Sequence, residues 1–202
     1  MTENYIKKLC EQKFCPIIRN SNPDEVVRIA KALCNGGVKI LEINVENSSI
    51  YRTIAEVSQY ATVCAGGIIT TIQPDAALLA GAKLLSSPIF SMNMVKFSKD
   101  QKVPYIAGTS TANESYTAWK SRIPLIKLFP ITEMGGVKYV ENILRPMPFL
   151  NVMVQGNVKV NEVKSYIDAG ARVVGIGRSM SDGSSAAEIS ARAEALIKIL
   201  KV

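Results

Sequence analysis

Short apolar runs alternate with longer amphipathic stretches from one end of this chain to the other. Residues 5–12 read as a short lid helix. An apolar strand over 14–18 follows, then an amphipathic helix over 24–35 closed by Gly36-Gly37, a helix-ending signal. The next strand spans 38–44 and its helix 48–60. A strand over 62–65 runs into Gly66-Gly67, and residues 73–80 are helical up to Gly81. Residues 83–86 form a short strand before Pro88, with a helix over 92–99. The pattern repeats with strands over 104–107, 125–129, 150–154 and 172–176, and helices over 112–120, 136–144, 161–169 and 185–200. No linker or low-complexity tract interrupts the eight strand–helix units, so one domain over 1–202 is expected. Strands alternating with helices imply parallel pairing, and eight units close into an α/β (β/α)8 TIM barrel with a short N-terminal helix. The competing arrangement is an open doubly wound sheet, but no Gly-x-Gly-x-x-Gly follows the first strand.

Two residues break the pattern. In Pro124-Leu125-Ile126-Lys127-Leu128-Phe129-Pro130 a lysine sits inside an apolar run bounded by prolines. An ammonium is costly to bury, so Lys127 must be paired or used. On a strand it shares a face with Leu125 and Phe129, while Ile126 and Leu128 take the other. Ile40-Leu41-Glu42-Ile43 repeats the oddity with a carboxylate. Glu42 falls on the second strand and Lys127 on the sixth, which are diametrically opposed in an eight-stranded barrel. Both lie near the C-terminal strand ends, where barrel function resides. The plain reading is a buried ion pair that helps close the barrel, although such pairs are often poor stabilisers. The chemical reading is an amine that attacks a carbonyl carbon, with a carboxylate to move protons. The same rim carries Arg19, Asn44, Glu46, Gly66-Gly67, Ser87-Pro88, Gln155-Gly156-Asn157 and Gly177-Arg178-Ser179.

Composition narrows the chemistry. The chain has no histidine, which removes Ser-His-Asp and Cys-His nucleophile systems and the imidazole ligands of zinc aldolases. Cys10, Cys15, Cys34 and Cys64 form no Cys-x-x-Cys pair and read as reduced, mostly buried thiols. Neither a metal nor an organic cofactor is expected. Net charge is +7, but the basic residues are scattered and aromatics are only 6%. That suits a small anionic metabolite better than nucleic acid. No apolar stretch reaches membrane-span length. The start, Met1-Thr2-Glu3-Asn4-Tyr5, lacks a signal-peptide layout, so a cytoplasmic protein without a membrane partner is expected.

At this point the chain resembles the 2-keto-3-deoxy-6-phosphogluconate (KDPG) aldolases, a family that includes 4-hydroxy-2-oxoglutarate aldolases. The resemblance runs through Ala30-Lys31-Ala32-Leu33, Gly36-Gly37-Val38, Leu41-Glu42-Ile43, Ala65-Gly66 and Ser87-Pro88. It continues through Ile126-Lys127-Leu128-Phe129-Pro130, Gly135-Gly136-Val137-Lys138 and Gly175-Ile176-Gly177-Arg178-Ser179. It implies a class I aldolase, usually trimeric, that splits a 4-hydroxy-2-oxo acid into pyruvate and glyceraldehyde 3-phosphate or glyoxylate. The Schiff-base lysine then falls on Lys127 and the acid–base glutamate on Glu42. Phe129, Pro130 and Pro88 line the site, Ser179 takes the phosphate, and Arg19 falls on an arginine common at the end of the first strand. Gly66, Gly67, Gly156, Asn157 and Gly177 complete the expected substrate-binding set, and the expected assembly is a homotrimer.

Three departures stand out. The arginine that holds the substrate carboxylate in the family is replaced by Glu46, which would repel it. The family's Gly-Ala-Gly-Thr reads Cys64-Ala65-Gly66-Gly67, without the threonine hydroxyl. Its Thr-Gly-Gly phosphate loop reads Gln155-Gly156-Asn157, where a side chain crowds the close approach of glycine. Arg19 and Arg178 are the candidates to restore a cation. The alternatives to this reading are a non-catalytic metabolite-binding protein on the same barrel, an aldolase of altered substrate, or another phosphate-binding barrel such as a sugar-phosphate isomerase.

Overall fold

The computed structural model describes residues 4–202. Met1-Thr2-Glu3, included above in the reading of the chain's start, lies outside them. In order the elements are α1 (Tyr5–Gln12), β1 (Phe14–Ile18), α2 (Pro23–Asn35), β2 (Ile40–Asn44), α3 (Ile50–Val57), β3 (Thr62–Gly66), α4 (Gln73–Leu79), β4 (Leu84–Ser86) and α5 (Met92–Asp100). They continue with β5 (Tyr105–Thr109), α6 (Ala112–Lys120), β6 (Leu125–Leu128), α7 (Gly136–Leu144), β7 (Val152–Val154), α8 (Val163–Asp168), β8 (Val173–Ile176), α9 (Arg178–Ser181) and α10 (Ala186–Leu200). Among the described residues, eight parallel strands close into a barrel in sequence order, β8 returning to β1. The (β/α)8 expectation is met, and the open sheet is excluded because no edge is left.

Strand alternation sorts the core into two layers. Cys15, Ile40, Cys64, Leu84, Ile106, Leu125, Met153 and Val173 fill the barrel interior. Their neighbours in sequence, among them Phe14, Leu41, Val63, Leu85, Tyr105, Ile126, Val152 and Val174, face outward under the helices. Helix α2 shows how local sequence sets an element. The Asn22 side chain accepts from the Asp24 and Glu25 N–H groups, Pro23 opens the first turn, and both acids sit at the positive end of the helix dipole. Gly36-Gly37 then ends it, with Gly37 at φ +90°.

The N-terminal helix is a plug for the barrel base. Leu9 of α1 is fully buried in the interior layer. The Gln12 amide donates to the carbonyls of Phe14 and Ile40 and accepts from the N–H groups of Lys39 and Ile40. Several boundaries differ from the sequence expectation. β5 runs on to Thr109, because Gly108 is part of the strand and not a break after it. The helix expected over 161–169 begins as a 3-10 turn at Val160–Glu162. The four-residue α9, too short for a periodic signal, was not anticipated.

Candidate active site

β2 and β6 place Glu42 and Lys127 on the inner surface on opposite sides of the barrel. The Lys127 side chain follows Leu125 of the interior layer and is 2% exposed; Glu42 follows Ile40 and is fully buried. Their charges reach the same two thiols. Burial pushes Cys15 and Cys64 well above the ordinary thiol range, the Glu42 charge pushes further, and Lys127 pulls back. Lys127 Nζ donates to Ser86 Oγ at 2.6 Å. Ser86 lies two residues beyond Leu84 on β4, so strand parity alone turns it inward; the Ser87-Pro88 motif had drawn attention to its neighbour instead.

The Glu42 carboxylate is held on one side only. With its side-chain amide turned so that the NH2 faces the acid, Asn44 donates to Glu42 Oε1 at 3.2 Å. The Asn44 oxygen then accepts from Arg19 Nε and Nη2, both at 2.8 Å. Arg19 Nε also lies 3.4 Å from Glu46 Oε1. Glu46 and Asn44 together hold the Arg19 guanidinium at the end of β1. Glu42 Oε2 is buried and has no hydrogen-bond partner among the described residues. Gln155 Oε1, past the end of β7, is in the same state. Two orphaned acceptors inside one barrel end mark a place that a ligand or water completes.

Glycines carve this end. A Cβ on Gly66 would land on the Glu42 carboxylate and the Asn44 amide. One on Gly108 would strike the Pro88 carbonyl. Since Gly108 pairs in register with Lys127, its bare backbone lets the Pro88–Ile89 peptide fold inward beside the lysine. Gly67 adopts φ +71° next to the Asn44 side chain. Phe129 follows β6, half-buried, its N–H bonded to the Thr109 carbonyl.

The strand-seven and strand-eight loops meet at Ser179. Gly177, not Ser179, takes the cap position of α9, and open space surrounds its missing Cβ. Ser179 lies inside α9, and its hydroxyl oxygen accepts from the Val160 N–H at 2.8 Å, which leaves its own proton free to donate. Gly156, at φ +123°, makes room for the Pro130–Ile131 backbone, and its carbonyl accepts from Thr132 Oγ1. Asn157 is left-handed at φ +53°; its amide donates to Glu133 Oε1 at 2.7 Å and accepts from Arg178 Nη2 at 3.2 Å. Arg178 is thereby engaged with the loop. Among the described residues no cluster of His, Cys, Asp and Glu could hold a metal ion.

Fold and mouth together define a (β/α)8-barrel enzyme with an ionisable, partly unsatisfied centre at one end. Residues 5–198 match the family described as KDPG and KHG aldolase, and the chain belongs to that family. A 2-dehydro-3-deoxy-phosphogluconate aldolase of Haemophilus influenzae is 26% identical over 169 residues, covering 82% of this chain and 80% of that one. The KDPG aldolase structure from Zymomonas mobilis ATCC 29191 superposes with a TM-score of 0.85 at 20% identity, over 94% of both chains. A Legionella pneumophila KDPG aldolase, solved with pyruvate captured as a covalent carbinolamine, superposes at 0.81 with 19% identity, over 92% of this chain and 95% of that one. At those identities the two structures speak to the fold alone.

Proposed function

We propose that this chain is a class I aldolase that cleaves KDPG or a related 4-hydroxy-2-oxo acid to pyruvate and an aldehyde, by way of a Schiff base on Lys127. The observation that carries the reading is a sheltered amine and a buried carboxylate on opposite strands of one barrel, one of the carboxylate oxygens being unsatisfied. The Lys127 amine adds to the C2 carbonyl of the substrate, and the carbonyl oxygen takes up a proton to give a carbinolamine. Loss of water yields the iminium. Glu42 Oε2, directly or through one water, takes the proton of the C4 hydroxyl. The C3–C4 bond breaks, its electron pair moves toward the iminium nitrogen, and the aldehyde leaves. The proton returns to C3 of the enamine, and hydrolysis frees pyruvate and the amine. Glu42 Oε1 stays bonded to Asn44 throughout, so the working oxygen is defined by what the other one holds. Ser86 orients the amine before attack.

Substrate groups are assigned by charge. Arg19, anchored by Asn44 and Glu46, takes the carboxylate that the family's lost arginine would hold. Phe129, Pro88 and Gly67 shape the wall beside the reacting carbon. The open backbone at Gly177 and the free hydroxyl proton of Ser179 receive a distal phosphate, with Gly156 and Asn157 forming the adjoining loop. This scheme uses no metal and no organic cofactor. It fits a cytoplasmic enzyme of one barrel domain; no helix among the described residues is long and apolar enough to cross a membrane. A homotrimer agrees with the exposed Ile69, Ile72, Leu79, Ile89 and Met92 on the third and fourth strand–helix units.

A second reading keeps the barrel and drops the turnover. Glu46 favours it, because it offsets part of the charge of the cation meant to hold the carboxylate. Borohydride reduction in the presence of pyruvate, followed by peptide mass analysis, separates the two. The aldolase gives a stable adduct on the peptide that contains Lys127, absent in Lys127→Ala. No adduct across a panel of 2-oxo acids leaves the binding protein.

A further inference from the structure

The end of the barrel opposite the mouth carries a groove of about 970 Å3, bordered by α1 and by the turns that lead into the strands. Among the described residues six cationic side chains line it: Lys7, Lys83, Lys99, Lys102, Arg122 and Arg172. Among the described residues no carboxylate does. Lys7 has Glu11 at 3.8 Å, but the other five make no ion pair among the described residues. Like charges gathered in one concavity raise the local potential and call for an anion. Between them lies apolar surface, including Ile6, Val103 and Ile123.

Two of these cations occupy unusual backbone. Five helix-to-strand turns share one hydrogen-bond pattern, in which a left-handed residue precedes a buried apolar one: at Gly37, Gly81, Lys102, Arg122 and Gly170. Where glycine is used, a Cβ would run into Ile197, Ser58 or Leu144. Lys102 (φ +51°) and Arg122 (φ +67°) instead carry long side chains into the groove. Left-handed backbone without glycine favours Asn or Asp. The chain has placed a cation at both positions, flanking the same cavity.

We propose that this groove binds a multiply phosphorylated small molecule of nucleoside diphosphate size, its phosphates on the Lys102–Arg122 side and its body on the apolar wall. The volume lies within the range of small-molecule pockets. Several unpaired cations suit adjacent phosphates better than one carboxylate. The site stands apart from the aldolase reading, because the filled interior layer separates it from the mouth.

The double variant Lys102→Gly/Arg122→Gly tests it without disturbing the turns, since glycine already serves the same geometry three times. Calorimetric titration with ADP at low salt should give saturable one-to-one binding to the intact protein. The variant should bind at least tenfold more weakly, with aldolase activity and melting temperature retained in the absence of ADP. Inorganic pyrophosphate should compete, and binding should weaken as salt rises. The proposal is overturned if the intact protein shows no saturable binding, if the variant binds equally well, if adenosine binds as tightly as ADP, or if blocking Lys127 with pyruvate and borohydride abolishes ADP binding.

Discussion

Asn44 sits between two charges that would otherwise have no link, and its neutral amide serves both through opposite atoms. Replacing it by leucine keeps the approximate volume and removes both bonds. Glu42 is then free to turn and Arg19 loses its inner anchor. Asn44→Leu is expected to lower kcat by about tenfold to a hundredfold, the penalty typical of a displaced catalytic group, and to raise KM as well. A purely structural role would lower the melting temperature and leave both constants of the folded fraction unchanged. Gly66→Ala probes the same carboxylate from the other strand, since the added methyl occupies its place; kcat should fall with little change in KM. The interior thiols give a further check. Cys15 and Cys64 are held well above the usual thiol range, chiefly by burial, so at pH 8 the native protein should be alkylated at the half-buried Cys10 and Cys34 long before either. Equal labelling of all four would contradict the packed interior. Lys127 and Glu42 were legible in the sequence because a charge inside an apolar strand is anomalous on its own. Of the partners that hold them, Asn44 was placed on the rim without a role and Ser86 was not named, because a neutral polar residue at a strand end is ordinary. Only the curvature of the barrel brings Ser86 to the lysine across the sheet.

Elements were found by hydrophobic periodicity and by the glycines that end helices, and the structure adds how two of them begin. The box formed by Thr111 and Glu114 opens α6, and Ser185 with Glu188 opens α10. Glu114 is held below the usual carboxylate range mainly by the Ser110 N–H, and Glu188 mainly by the Ser185 N–H. A carboxyl with a lowered folded pKa adds stability at pH above its unfolded value, near 4.3, and loses that contribution as pH falls through the folded value. The double variant Glu114→Gln/Glu188→Gln should therefore flatten the acid limb of the stability curve below about pH 5, while the intact protein declines more steeply. Parallel acid limbs in thermal melts would refute the capping role. Boundaries were less legible than existence. β2 begins at Ile40, not at residue 38, since Val38 still closes the α2 turn onto Leu33. Gln12 was invisible as a structural residue, yet its amide bonds four backbone groups at the barrel base. Gln12→Ala should cost about 1–3 kcal/mol in urea unfolding, the range for buried polar groups left unpaired.

At the scale of the molecule, counting strand–helix units was enough to predict closure, because a sheet of eight such units can satisfy its last edge with its first. Alternation along β6 also set Leu125 and Lys127 apart from Ile126 and Leu128, the division that the two core layers follow. Periodicity could not say which outward apolar residues remain uncovered, because helical spacing reports only which way a side chain points. Leu79 and Ile72 are 90% and 80% exposed at the two ends of α4, an unusual cost for large aliphatic side chains in a lone barrel. Burial of such residues against a second and third copy is what the homotrimer reading requires. Ile72→Glu/Leu79→Glu puts two carboxylates on that face while touching no interior contact, so the barrel itself should fold with an unchanged far-ultraviolet spectrum. Light scattering of the intact protein should then give three times the 21.9 kDa chain mass, and of the variant a single chain mass. A lone-chain mass for the intact protein removes the trimer; a variant that stays trimeric moves the interface off α4 and onto another face of the barrel.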